Sequence, residues 1–397
     1  MSAKGFFQRS ANFLAKVRKS NPDISISAGF VSGKLPTNFV EPTEPVRVGF
    51  DLTDKAPTYI SDPKKLYSIY PAYDNSPSRN ADVLYEEVSF FQPDGMKGIR
   101  KDAKPAEEIK IELTPTKFRP PRRYQKLAEE AVYYFKQTRK LNYDPDRQQY
   151  ENNRSARLDR YDRETNTMFL TEASYFDQIG TNIVIDTTLA DPVRGHLPSL
   201  REGPEKPIHH ALPSLHESIL ANTLGVAAVV YTPDWSQQIL RLRDGRYLAS
   251  MPEGGIHCSA SGVFELHQSA KKGGSYDVTK IMRGMKIELL AELHLRPDQY
   301  DLHLIALARE LPRGGKPQLF FVVRSHLGID EMVKLSQKAK ERSEFLHGDN
   351  GGFLLRGVDL SDPSKFTYEG WAAIYFAEQF LEANGLEPDS NSYSSMS

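Results

Sequence analysis

Apolar positions along the chain change their spacing several times, and each change marks an element. Residues 224–231 form the longest smooth apolar run, eight residues that predict a buried strand. Pro233-Asp234 then supplies a turn, 238–242 a second strand, and Asp244-Gly245 another turn, which is hairpin grammar. From 281 to 295 the residues Met285, Leu289, Leu290 and Leu293 recur at helical spacing until Arg296-Pro297 stops the helix. Strands are predicted over 300–308 and 318–324, separated by Pro312-Arg313-Gly314-Gly315-Lys316-Pro317, and helices over 331–345 and 368–383. Hairpin, helix, hairpin and helix predict an α+β domain over 165–397, with helices packed on a mixed sheet.

The first part of the chain reads differently. Residues 22–105 are rich in proline, serine and aspartate, with short β-type runs at 46–50 and 88–91. They predict an irregular or β-rich module over 1–110. Pro120-Pro121 then precedes Leu127, Ala128, Ala131, Val132 and Phe135, which predict a helix over 122–141 inside a basic connector of residues 111–164. The first twenty residues interleave Lys4, Arg9, Lys16, Arg18 and Lys19 with Phe6, Phe7, Phe13, Leu14 and Val17. Both an organelle transit segment and an ordinary amphipathic surface helix have this pattern.

Composition narrows the classes. The 397 residues are 39% hydrophobic, enough for a sizeable core, which excludes a disordered or collagen-like chain. Lys+Arg 51 against Asp+Glu 52 excludes a general polyanion binder and leaves only local patches. One such patch runs from Lys117 to Arg163, where thirteen basic residues face seven acids and Tyr133, Tyr134, Tyr143 and Tyr150 interleave. It fits an RNA- or phosphate-facing strip or, since no RNP-like or helix-turn-helix signature accompanies the charges, a solvated helix with a charged connector. The single cysteine, Cys258, excludes a disulfide framework and fits a reducing compartment, so a cytoplasmic location is expected. No stretch reaches the roughly 18 apolar residues of a membrane span.

Candidate chemistry concentrates on the helix predicted at 281–295. Glu288 and Glu292 are four residues apart and share one face at the edge of the apolar stripe. Such a pair can hold Mg²⁺ with substrate phosphates completing the shell, or can be surface decoration. Arg313 and Lys316 on a glycine turn could meet phosphate or could be solvated. His209, His210 and His216 lack an acid at ligand spacing and read as loop histidines. Cys258 has no motif tying it to a base.

Gly262, Glu288, Leu289, Glu292 and Leu295 together resemble the Nudix box, G-x5-E-x7-R-E-U-x-E-E-x-G-U with U apolar. Five of its nine specified positions are kept. Gln268 stands at the first Glu, Ile287 at the Arg, Ala291 at one Glu of the final pair and His294 at the last Gly, with an insertion of eleven residues around Gly273-Gly274-Ser275. The flanks resemble the same superfamily. Residues 222–230 look like its first core strand, 234–242 its turn and second strand with Arg241 or Arg243, and 259–265 a variant lead-in. The stretch 308–321 is similar to the hairpin after the box helix. The resemblance covers about residues 165–385.

What the resemblance implies is a Nudix-like mixed sheet between helices and a Mg²⁺- or Mn²⁺-dependent hydrolase acting on a nucleoside diphosphate linked to another group. Carried over by position, Glu288 and Glu292 are the retained acids, and Glu265 or Glu310 would complete the metal shell beside Gly262. Arg243, Arg313 and Lys316 would contact substrate, with Glu310 also a catalytic candidate. The lost box positions imply an alternative, a catalytically impaired protein of that fold. It would bind a nucleotide-like ligand, or a protein partner through the N-terminal half.

Overall fold

The structure, a computed structural model, describes residues 59–73, 88–144, 147–191, 195–243, 255–266, 274–339, 353–355 and 365–386. The basic N-terminal segment, the run 46–50, the turn at Asp244-Gly245 and Gln268 lie outside the described residues. Two units divide the chain, residues 1–57 with 188–198 and residues 58–187 with 199–397.

The larger unit begins with α1 (Pro63–Ile69), β1 (Val88–Phe91), β2 (Lys104–Pro105), β3 (Lys110–Lys117) and α2 (Gln125–Gln137). The hairpin β4 (Tyr143–Asp144) and β5 (Gln149–Tyr150) follows, then β6 (Arg154–Asp162), β7 (Thr167–Ser174) and α3 (Tyr175–Gln178). The smaller unit has, among its described residues, the hairpin β8 (Leu189–Asp191) and β9 (Gly195–Leu197). The larger unit resumes with β10 (Gly225–Tyr231), β11 (Gln238–Leu242), β12 (Ile256–His257), β13 (Ala260–Val263) and β14 (Ser275–Asp277). It closes with α4 (Thr279–Leu293), β15 (Tyr300–Glu310), β16 (Lys316–Ser325), α5 (Ile329–Ser336), β17 (Phe353–Leu355) and α6 (Tyr368–Asn384). The architecture is α+β.

A nine-stranded mixed sheet in the order β12-β11-β10-β16-β15-β1-β2 forms the centre, with β13 added on β10 and β17 on β11. β10 and β16 pair in parallel from Gly225↔Gln318 to Tyr231↔Arg324. Every residue of β10 is buried, which is why its apolar residues run without alternation: both faces of a central strand are covered. The two faces separate by parity. Val226, Ala228, Val230, Leu319, Phe321 and Val323 join a core with Ile281, Met285, Leu289 and Leu293 of α4. Ala227, Val229, Phe320 and Val322 instead meet Ala373, Phe376 and Phe380 of α6, with the Phe320 and Phe376 rings 4.8 Å apart. The sheet is therefore packed between two helices.

One edge of β10 is shared, and this creates a fork. Residues 225–228 pair with β13, while Val230 and Tyr231 pair with β11, so the two neighbours diverge from one strand. A second sheet, β14-β3-β7-β6, covers the α4 side, and its Ile111, Leu113, Leu158, Met168 and Leu170 join the same core. Helix boundaries follow local chemistry. Asp277 Oδ1 accepts the Thr279 N–H at 3.0 Å where α4 begins. α4 ends at His294, which adopts φ 58°, the left-handed conformation usual for a glycine just past a helix. Thr367 caps α6 by accepting the Gly370 N–H at 3.0 Å. Among the described residues, no helix is long and apolar enough to cross a membrane.

Candidate functional site

α4 runs alongside the lead-in strand β13, and this brings Gly262 under Glu288. A Cβ at position 262 would collide with the Glu288 carboxylate, so glycine there leaves room for that carboxylate over the strand. One turn on, Glu292 enters the fork. Its Oε1 accepts the Ser261 N–H at 3.2 Å, and its Oε2 lies 3.4 Å from Arg241 Nη1, which also donates to the Glu292 carbonyl at 3.0 Å. Both side chains are 1% exposed. Arg241 thus supplies the cation for a helix carboxylate, the part the resemblance assigns to position 287, where Ile287 is 53% exposed.

From this pair a polar seam crosses the sheet. His257 is buried with one ring nitrogen 2.7 Å from Ser261 Oγ and the other 2.6 Å from the capping hydroxyl of Thr367. Burial first, then the nearby Arg243, Arg241 and Arg313 guanidinium groups, hold its pKa well below the ordinary value, so the imidazole is neutral. Arg243 itself is buried, its backbone N–H donating to Gly255 at 2.9 Å.

Glu310, Arg313 and Lys316 meet on the opposite face. Glu310 is fully buried; Arg313 donates to both its carboxylate oxygens, and Lys316 Nζ lies 3.8 Å away. Arg313 also reaches Glu369 of α6 at 3.4 Å, and Gln318 bridges Glu369 at 2.7 Å to Lys316 at 2.9 Å. Burial lowers the Lys316 pKa to about 8, with Glu310 opposing the shift. Burial lowers that of Arg313 too, but Glu310 and Glu369 outweigh it and the net direction is up. The cause of this placement is a β-bulge in β15 between Leu304 and Ala306. Leu304 faces α4, whereas Ile305, Ala306 and Ala308 face α6, so an inserted residue carries Glu310 to the α6 side.

The turn joining β15 to β16 is interior. Arg201 donates to the Leu311 carbonyl at 3.1 Å and the Pro312 carbonyl at 2.6 Å, Asn182 to Arg313 at 2.9 Å, and Arg309 to Gly315 at 3.0 Å. Gly314 has φ 66° and faces Ile185 and Leu220 at contact distance, so a side chain there would be both strained and crowded. Arg313 and Lys316 do not project from a solvated loop.

The structure therefore brings Gly262 to Glu288, and Glu292 to Arg241, but separates Glu310 from both acids by the sheet. Glu265 is exposed at the end of the lead-in, where its Oε1 accepts from Asn153 Nδ2 at 2.5 Å. Mg²⁺ or Mn²⁺ needs several converging oxygens. Here Glu292 is taken by a guanidinium and a backbone N–H, Glu310 by Arg313, and Glu265 by an amide. Among the described residues, no group of three or more His, Cys, Asp or Glu is placed to hold a metal ion. Three of the four candidate acids, Glu292, Glu310 and Glu265, are thus already engaged by other groups.

The basic stretch 117–163 is dispersed by pairing. Lys117 and Arg154 meet Glu172 at 3.5 and 2.7 Å, Lys126 meets Glu130 at 2.9 Å, and Arg163 meets Asp102 at 2.6 Å. Arg157 is buried, its guanidinium donating to the Leu220 and Ser218 carbonyls. Sequence reasoning missed the Arg241–Glu292 and His257–Thr367 contacts; the one local signal is an arginine set between Leu240 and Leu242 in a predicted strand, since a guanidinium buried there needs an acid.

No family model matches the sequence, and no curated protein matches it. Among solved structures, the crystal structure of DR0079 from Deinococcus radiodurans is similar over part of the chain, at 13% identity and a TM-score of 0.21. The overlap covers 27% of this chain and 57% of that one, so the chain spans little more than half of that protein's length.

Proposed function

We propose that this is a binding protein of divergent Nudix type, in which the box helix serves structure and ligand contact rather than metal-dependent hydrolysis. The observation that carries the reading is the commitment of Glu292 to Arg241 and the Ser261 N–H inside the fork. A metal there would have to take the Glu292 carboxylate away from a buried guanidinium, at a cost of several kcal/mol. The partnership of Glu310 with Arg313 removes the next acid in the same way.

A hydrolase keeps one feature in its favour, the close approach of Glu288 to Gly262. Phosphate release from a panel of nucleoside diphosphate compounds, with Mg²⁺ or Mn²⁺, separates the two. The binding reading expects no metal-dependent turnover above background. Turnover in the wild type that disappears in folded Glu288→Gln and Glu292→Gln variants would establish the hydrolase instead.

A further inference from the structure

The side of α4 turned away from the nine-stranded sheet borders a cavity of about 640 Å³, within the range that holds small organic ligands. Its helix wall is one stripe that includes Arg283, Ile287, Leu290, Ala291 and His294. Facing it are Ile111, Leu113 and Leu170 of the second sheet, with Phe264, Leu266 and Tyr276 between. Three of the four departures from the box pattern, Ile287, Ala291 and His294, thus line one space. At two of them a charged box residue is replaced by hydrocarbon. Ile287 and Leu290 are 53% and 44% exposed, an apolar surface that water covers poorly and a hydrocarbon would cover well.

The charges around the cavity are not equally engaged. Of its acids, Glu265 accepts from Asn153, Glu151 accepts from Asn142 Nδ2 at 3.4 Å, and Glu288 lies over Gly262. Of its cations, Lys280 sits over the Tyr276 ring at 5.6 Å. Arg283 and Lys338 are exposed and hold no carboxylate among the described residues. The geometry points to a binding site for a small amphipathic anion, a hydrocarbon body bearing one carboxylate or phosphate head. The body lies along Ile287, Leu290 and Ala291, and the head meets Arg283. This rests on the binding reading above and gives it a ligand class.

Titration calorimetry of the full chain with decanoate, decyl phosphate, decanol and decyltrimethylammonium, each below its micellar or solubility limit, tests the site. Both anions should bind, decanol should bind about ten-fold more weakly, and the cation weaker still. Ile287→Glu changes an exposed position, so the fold is retained, and it should weaken decanoate by about ten-fold by placing a charge against the hydrocarbon. Arg283→Glu should close the gap between decanoate and decanol. Absence of anion binding by the wild type, or decanoate affinity unchanged in Ile287→Glu, overturns the site, and so does a cation that binds as well as the anions. Nucleotide turnover would remove the binding reading through a separate assay, so the two failures are distinguishable.

Discussion

At the scale of single residues, Glu292 and Lys316 show how burial converts candidate chemistry into structure. Glu292 neutralises Arg241 in a site where neither touches water. Glu292→Gln should lower the unfolding free energy by about 3 kcal/mol, because it leaves a buried guanidinium without its anion. The double variant Arg241→Met with Glu292→Leu should recover most of that loss, and urea unfolding of the wild type and the two variants checks both statements. Lys316 gives a pH signature. Its folded pKa of about 8 lies below the ordinary 10.5, so between those values the unfolded chain holds the extra proton. The Lys316 contribution to stability therefore rises as pH increases from about 8 toward 10. Wild type measured against Lys316→Met across that window should show the rise; a flat difference would contradict it.

At the scale of elements, close approach is set by glycines whose neighbours differ in how easily they yield. A Cβ at Gly262 meets the end of a movable Glu288 side chain, whereas one at Gly370 meets the His257 Cα and the Ile256 carbonyl, each at 2.8 Å. Gly370→Ala should therefore cost about 2 kcal/mol by forcing α6 away from β12, and Gly262→Ala distinctly less. Thermal unfolding of the two variants side by side tests the order. Much at this scale was legible in the sequence. The helix predicted at 281–295 is α4 at Thr279–Leu293, and the strands predicted at 300–308 and 318–324 are β15 and β16, each slightly longer. They were readable because their apolar spacing is dictated by the layers that cover them. The side that Glu310 occupies was not readable. Parity counted from Leu304 puts residue 310 on the α4 face, and the bulge reverses it. No local residue pattern announces that extra residue.

At the scale of the whole molecule, the contacts that decide the candidate site join distant parts of the chain. Arg241 meets Glu292 across 51 residues and His257 meets Thr367 across 110, and propensity or periodicity carries no information over such separations. The two cores divided by the nine-stranded sheet are linked through that seam by a neutral histidine. Acid should attack it: the His257 pKa is depressed when folded, so stability is lost as pH falls below the ordinary value near 6.5. The hairpin of β15 and β16 has a different consequence. Loop tips are ordinarily where a chain accepts added sequence, because they are solvated and their backbone groups are satisfied by water. Here Arg201, Asn182 and Arg309 already hold the carbonyls of the tip from inside. A peptide tag inserted after Gly314 would have to pull those donors away from their acceptors. For anyone splitting, tagging or permuting this protein, the hairpin of β15 and β16 is the wrong place to cut.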